Sequence, residues 1–189
     1  MANFIIVDVE ASGPCPGKGS MTEIGAILFN APPFSTQFYG HLQEICPGRN
    51  QESGVAGLKP GGDEPEAVMI DFQVWISEVV IAGRPIFVSD NPAFDWQWVN
   101  YYFWHFVGFN PFGHSARRIG DIWAGVVGDL RRPWKQLRDT PHTHNPVDDA
   151  RGNAEALWKI LEMIKLKNYR PDFTGFLLMM SGLLYRLYQ

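Results

Sequence analysis

Two acidic residues stand near the start of the chain, inside an apolar run. Asp8 and Glu10 alternate with Val7 and Val9, and residues 4–9 together predict a buried strand. Because side chains alternate between the faces of a strand, both carboxylates point to one face and Val9 to the other. Two neighbouring carboxylates repel each other and lose hydration, and a cation between them would remove both costs. A strand that ends at Val7, followed by two solvated acids in a turn, fits these residues equally well.

A second acidic position follows another short apolar run. Residues 91–95, NPAFD, come directly after a predicted strand at 85–89. Asp95 would lie in the first turn of the next helix, near the carboxyl edge of the sheet, where open α/β sheets bind their ligands. The plainer explanation of this acid is a charge favoured by the helix dipole. Asp90 is a rival acid in the preceding turn.

A third group occupies residues 142–150. Asn145 is a good N-cap and is followed by a proline that suits the first helical position, so His144 would stay on the loop before the helix. Asp148 would take the third helical position, where it can serve the helix end. Asp149 points elsewhere, which makes it the better candidate for a metal ligand. His142 is a rival of His144, at a longer spacing from Asp149.

The elements that must position these residues can be located from the apolar pattern. The 189 residues, 46% of them hydrophobic, suffice for one domain with a sizeable core, or for a domain with a short extension. A meander of three strands is predicted at 4–9, 22–29 and 34–42. Four helices are predicted at 66–82, 94–107, 119–130 and 147–166. An α/β domain with a mixed sheet follows, over residues 1–168, with an apolar extension at 169–189.

Charge and composition limit the classes of function. The net charge of −4 does not by itself indicate a nucleic-acid partner. Residues 1–100 hold four Lys/Arg against twelve Asp/Glu, so this half would need metal ions to meet a polyphosphate. We find neither a secretory signal nor an apolar stretch of membrane length. Cys15 and Cys46 have no metal spacing and make no disulfide framework. We therefore expect a cytoplasmic protein without a membrane partner.

Taken together, the three acidic groups resemble the three motifs of the DEDDh 3′–5′ exonucleases, the family of RNase T, oligoribonuclease and the polymerase proofreading subunits. Order and spacing match from residue 3 to about residue 165. Residues 119–123, IGDIW, and 144–157 look closest to the small exoribonucleases of the RNase AS type. The chain departs from the family pattern where EASG at 10–13 replaces the commoner ETTG, and where PV at 146–147 replaces a frequent AL. Neither departure removes an acid.

The resemblance implies an RNase H-like fold, with a five-stranded mixed sheet flanked by helices. It also implies two divalent ions held by Asp8, Glu10, Asp95 and Asp149, and carboxylates select hard cations such as Mg²⁺ or Mn²⁺. His144 would be the general base, since an imidazole pKa of about 6.5 suits proton removal near neutral pH. A nucleoside monophosphate would leave from a single-stranded 3′ end, with RNA expected ahead of DNA. Related exonucleases are often dimers, so a homodimer is also expected.

Several residues near these motifs are candidates for binding the substrate. The terminal sugar would lie at the residues that follow the acidic strand, namely Ala11, Ser12 and Gly13. Asn91 and Trp96 adjoin Asp95 and complete the set. Trp98 and Trp134 are further candidates for stacking, although packing is the better explanation of Trp98. A basic loop leading to His144 would either follow the phosphate backbone or be merely solvated; it contains Arg131, Arg132, Lys135 and Arg138.

Three functions remain open on the sequence. The leading one is a metal-dependent 3′–5′ exoribonuclease, and the second is a 3′–5′ DNA exonuclease for repair or proofreading. The third is an inactive nucleic-acid-binding subunit. The presence of all four acids argues against the third, because an inactive site has no need to keep them.

Overall fold

One mixed sheet organises the chain. A computed structural model describes residues 3–46 and 61–168. The strands are β1 (Phe4–Ala11), β2 (Met21–Leu28), β3 (Gln37–His41), β4 (Ile86–Ser89) and β5 (Ala116–Arg118). Their order is β3-β2-β1-β4-β5. The first three strands form the predicted antiparallel meander, and β4 and β5 run parallel to β1. The five-stranded mixed sheet is therefore confirmed.

Within the described residues, four α-helices flank the sheet. They are α1 (Pro65–Val79), α2 (Pro92–Tyr102), α3 (Ile119–Val127) and α4 (Pro146–Asn168). Each lies within a few residues of its predicted position. The largest difference is at α2, which begins two residues early and ends in a π-helical turn, Phe103–Val107. Gly108 ends that turn with φ of 81°, a conformation that glycine adopts at little cost.

Each face of the sheet is covered by its own apolar core. Ile5, Val7 and Val9 of β1 belong to the core shared with α1 and α2. Ile6 belongs to the core on the opposite face, shared with α3 and α4. By the same alternation, Asp8 and Glu10 point to the face that α4 covers. The fold therefore brings the start of α4 over the two acids of β1.

Gly25 allows α4 to approach this closely. Gly25 pairs with Asp8 across the antiparallel β1–β2 ladder. A methyl group at this position would lie 2.3 Å from the carbonyl carbon of Pro146, the first residue of α4. No side chain larger than hydrogen fits there without moving the helix. The missing Cβ thus places the first turn of α4 directly beside Asp8.

Some expectations concern residues that the model does not describe. The apolar extension at 169–189 lies outside the described residues, and the domain boundary at 168 and the homodimer stay predictions. Cys15 and Cys46 are free thiols. Within residues 3–46 and 61–168, none of the helices combines the length and the hydropathy needed to cross a bilayer.

Candidate active site

Three carboxylates from two elements meet at the acidic strand. β1 continues to Ala11, so the alternative of a strand ending at Val7 is wrong. Asp8, Glu10 and Asp149 each offer an oxygen, and these oxygens lie within 4.8 Å of one another. Asp8 is partly buried, and Glu10 and Asp149 are buried. The predicted choice of Asp149 over Asp148 agrees with this geometry, because only Asp149 faces β1.

The negative charge of the cluster favours a bound cation. Burial raises the pKa of Asp8 well above its usual range, and the charges of Asp95, Asp149 and Glu10 raise this pKa further. Arg138 acts in the opposite direction but is the weakest of these influences. An oxygen-only set of donors with excess negative charge suits a hard divalent cation. The residues present therefore fit divalent-metal use.

Asp95 lies at the edge of this cluster, in the first turn of α2 as predicted. Its side chain is buried, and its Oδ1 accepts a hydrogen bond from the Val9 N–H at 3.3 Å. Burial raises the pKa of Asp95 to about 7, and the charge of Asp90 contributes to this rise. The rival Asp90 instead forms an ion pair with Lys135, at 2.7 Å. The structure thus directs Asp95, and not Asp90, toward β1.

Four nitrogen atoms surround the carboxylate of Asp149. Its Oδ1 accepts from Nη2 of Arg138 at 2.7 Å and from the Thr143 N–H at 3.3 Å. Its Oδ2 accepts from the His144 N–H at 3.1 Å and lies 2.8 Å from Nδ1 of His142. The loop before α4 is therefore folded around this carboxylate. The ordering explains how a loop histidine obtains a fixed place.

The two histidines of this loop both reach the site. Nδ1 of His144 lies 3.8 Å from Oε1 of Glu10, and about half of the His144 side chain is exposed. His144 has φ of 58°, and its ring centroid is 4.3 Å from that of His142. Its exposed imidazole beside Glu10 suits proton transfer to or from a bound substrate. The spacing of His142 from Asp149 in the sequence did not indicate their contact, because that contact forms only when the loop folds back.

The residues at the end of β1 and just after it offer little side-chain surface to a substrate. Ala11, Ser12 and Gly13 are all buried. The Ser12 hydroxyl accepts the Ser20 N–H at 3.0 Å. A methyl group at Gly13 would lie 2.3 Å from the carbonyl oxygen of Lys18, so the turn itself requires this glycine. Ala11 and Ser12 have no exposed surface, and contact of residues 11–13 with the terminal sugar stays a prediction.

The aromatic candidates divide by burial. Trp98 has no exposed surface, as the packing explanation predicts, and the exposed fraction of Trp134 is only 7%. Trp134 packs in the core beside α3 and α4, so the stacking role expected for it is wrong. Trp96 is partly buried, with its ring edge-on to Phe87 at 5.2 Å between centroids. Asn91 is exposed, and its side chain makes no capping bond to α2.

The arginines of the basic loop differ in their exposure to solvent. Arg131 and Arg132 are exposed, as a path for phosphates would require. Arg138 is not available for that purpose, because its side chain is 6% exposed and is bound to Asp149. The expectation that Arg138 follows the phosphate backbone is therefore wrong. Its burial beside a carboxylate makes it part of the acidic site.

Sequence reasoning missed two further acidic-site neighbours. Glu23 of β2 pairs with Glu10 across the ladder, so both side chains point to the same face. The Tyr39 hydroxyl donates to Oε1 of Glu23. A buried glutamate inside the apolar run 22–29 was the available signal, and it resembles the signal given by Glu10 inside β1.

Carboxylates that converge on the central strand of an RNase H-like sheet, with a histidine on the adjoining loop, define a nuclease. No protein-family model matches the chain. The chain is 35% identical over 181 residues to an Escherichia coli protein named 3′–5′ DNA exonuclease Cap18, and the match covers 87% of this chain and 94% of that protein. The chain therefore belongs to the DnaQ-like 3′–5′ exonuclease family, and it is a hydrolase acting on phosphodiester bonds.

Two solved structures are similar to this chain. The chain is similar to E. coli ExoI in a zinc-bound complex with single-stranded DNA, with a TM-score of 0.55 and 14% identity. That match covers 95% of this chain and 43% of the ExoI chain, so this chain spans less than half the length of ExoI. The Neurospora crassa Pan2 catalytic unit aligns with a TM-score of 0.44, 10% identity and coverage of 99% of this chain and 30% of that chain. The ExoI likeness agrees with a five-stranded sheet flanked by helices.

Proposed function

We propose that this enzyme removes nucleoside 5′-monophosphates one at a time from single-stranded 3′ ends, with two divalent ions and with His144 as the general base. The observation that carries the proposal is the convergence of oxygens from Asp8, Glu10 and Asp149 within 4.8 Å. The exposed imidazole of His144 lies beside Glu10, where a proton acceptor is needed.

Asp8 would contact both ions, because the charges of Asp95, Asp149 and Glu10 all act on its carboxylate. Glu10 and Asp149 would complete one site, and Asp95 would serve the other, directly or through water. Mg²⁺ or Mn²⁺ fits this set, since every donor is a carboxylate oxygen. When bound, two such ions supply Lewis-acid stabilisation of the attacking and leaving oxygens of an in-line displacement.

The chain's own residues hold the general base in position and transfer a proton. The imidazole of His144 takes the proton of the attacking water, a role that requires an exposed ring held near the acids. Its backbone N–H is fixed by Oδ2 of Asp149 at 3.1 Å, so the ring is carried by an anchored residue. The same carboxylate thereby links the acidic site to the position of the general base.

Single-stranded DNA is the proposed substrate. The E. coli relative is named as a DNA exonuclease, and the ExoI structure is a complex with single-stranded DNA. RNA is the second candidate, because residues 119–157 resemble the small exoribonucleases. The buried side chains of Ala11 and Ser12 add no support for recognition of a ribose hydroxyl.

Matched DNA and RNA oligomers of one sequence, labelled at the 5′ end and incubated with the protein and Mg²⁺, test the proposal. We expect stepwise shortening of both labelled strands, with DNA shortened faster, and release of unlabelled nucleoside 5′-monophosphates. Faster shortening of RNA would overturn the DNA assignment. Full-length strands after incubation with Mg²⁺ or Mn²⁺, or release of the labelled end nucleotide first, would overturn the exonuclease proposal itself.

A further inference from the structure

Nitrogen atoms contact both oxygens of the Asp149 carboxylate. Arg138 and the Thr143 N–H donate hydrogen bonds to Oδ1, at 2.7 and 3.3 Å. The His144 N–H donates to Oδ2 at 3.1 Å, and Nδ1 of His142 lies 2.8 Å from the same oxygen. A carboxylate offers about four lone-pair sites, so an ion at Asp149 would compete with these four contacts.

The four nitrogen groups differ in how easily they can leave. Two are backbone N–H groups of the folded loop. Arg138 is anchored, because its side chain is 6% exposed and its Nε donates to the carbonyl of Thr140 at 3.3 Å. His142 is a side chain with 51% exposure, and it can rotate into solvent without unfolding anything. His142 is therefore the contact that an ion at Oδ2 would displace most easily.

Gly152 shows that the place of Arg138 is built into the fold. Gly152 lies on α4, one turn after Asp149. A methyl group there would lie 2.3 Å from Nε of Arg138 and 2.7 Å from Nη2. The guanidinium thus lies flat against the helix where a side chain would otherwise be.

We propose that Arg138 is a positioning residue of the metal centre. Its bond to Oδ1 holds the Asp149 carboxylate in one orientation, with Oδ2 directed toward the ions. His142 would give up its contact with Oδ2 when an ion binds. The inference rests on the proposed function, since it assumes that Asp149 is a metal ligand. It assigns opposite effects to two neighbours of one carboxylate. Arg138 favours ion binding through orientation, and His142 competes with it.

Orientation and charge can be separated by substitution. Arg138→Lys keeps the positive charge but loses the planar group that bonds Thr140 and Asp149 together. Gly152→Ala keeps the arginine and pushes its guanidinium off the helix. Lys159→Gln is the matched control, because it removes a lysine that pairs with Asp139 at 2.7 Å on the exposed part of the same loop and helix.

Calorimetric titration of the metal-free variants with Mn²⁺ is the experiment. We expect Arg138→Lys and Gly152→Ala to bind Mn²⁺ roughly tenfold more weakly, the scale of an outer partner's effect on a metal site. Higher Mn²⁺ should partly restore their turnover. His142→Ala should bind Mn²⁺ roughly three- to tenfold more tightly, because the polar contact of Nδ1 with the carboxylate no longer has to be broken. Lys159→Gln should match the wild type.

Two results would overturn the inference. Wild-type Mn²⁺ affinity in Arg138→Lys would show that Arg138 supplies charge alone. Weaker Mn²⁺ binding in His142→Ala would show that His142 remains on Asp149 in the loaded protein. If either buried variant fails to fold, the exposed His142→Ala still decides. Failure of the proposed function is distinguishable, because the wild type would then bind Mn²⁺ without shortening any strand.

Discussion

Asp95→Asn should make the metal-free protein more stable at neutral and alkaline pH while removing its activity. The Asp95 carboxylate is buried beside Asp8, and burial raises its pKa from the ordinary 3.8 to about 7. Ionisation of this group therefore opposes folding whenever no cation is present. Asparagine carries no charge, and its amide oxygen can still accept the Val9 N–H. Asp95, which is needed for activity, therefore lowers the stability of the metal-free protein.

The magnitude follows from the two pKa values. Between pH 3.8 and about 7 the folded protein retains a proton on Asp95 that the unfolded chain has lost. The free energy of unfolding therefore falls as pH rises through this range and levels off above about 7. At about 1.4 kcal/mol per pH unit, Asp95 lowers stability by about 4 kcal/mol, of which about 3 kcal/mol falls above pH 5.

Urea denaturation in EDTA at pH 5 and pH 8 measures this effect. Asp95→Asn should gain about 3 kcal/mol more over the wild type at pH 8 than at pH 5. Asp121→Asn is the matched control, because its carboxyl is 73% exposed, and it should change little at either pH. Saturating Mg²⁺ at pH 8 should remove the gain, since an ion stabilises only the wild-type charge. An equal effect at both pH values, or destabilisation at pH 8, would refute the reasoning.

Four further substitutions test other parts of the site. Asp149→Asn should abolish turnover and also destabilise the fold by about 3–5 kcal/mol, because Arg138 loses its buried counter-ion. Asp148→Asn should lower the free energy of unfolding by at most about 0.5–2 kcal/mol. Turnover assays and urea denaturation measure both effects. His144→Ala should lower turnover roughly 10²–10⁴-fold with Mn²⁺ affinity retained, as measured by single-turnover kinetics and calorimetry. Gly25→Ala should displace the start of α4 and weaken Mn²⁺ binding in calorimetry.

Each of these outcomes has a contrary result. Equal loss of turnover in Asp148→Asn and Asp149→Asn would show that the wrong aspartate has been assigned. Loss of Mn²⁺ affinity in His144→Ala would make His144 a metal ligand instead of the base. Unchanged Mn²⁺ affinity in Gly25→Ala would mean that α4 can dock over β2 with a methyl group between them.

The parts of the site that sequence could predict depend on local geometry. The alternation of a strand places Asp8 and Glu10 on one face, and an N-cap followed by proline fixes where α4 begins and hence where Asp149 points. These rules act within a few residues. The apolar pattern did not locate β5, because its three residues are too few to show alternation.

The parts that sequence could not predict depend on contacts across the chain. In the sequence, Arg138 cannot be distinguished from the other basic residues of its loop. Its burial against Asp149 and Gly152 is evident only in the folded loop. The role of Gly25 depends on its pairing with Asp8 and on the approach of a helix that begins 121 residues later. His142 reaches Asp149 because the loop turns back on itself, with φ of 58° at His144.

The central claim is that the acids of β1 and α4 form a metal centre that hydrolyses strands from the 3′ end. The most direct test follows a 5′-labelled single-stranded DNA under single-turnover conditions with Mg²⁺, with EDTA, and with Asp8→Asn in place of the wild type. The account predicts a ladder of shortened labelled strands with nucleoside 5′-monophosphate as product for the wild type in Mg²⁺, and intact strands in the other two reactions. Shortening that persists in EDTA, or in a folded Asp8→Asn protein, would contradict it.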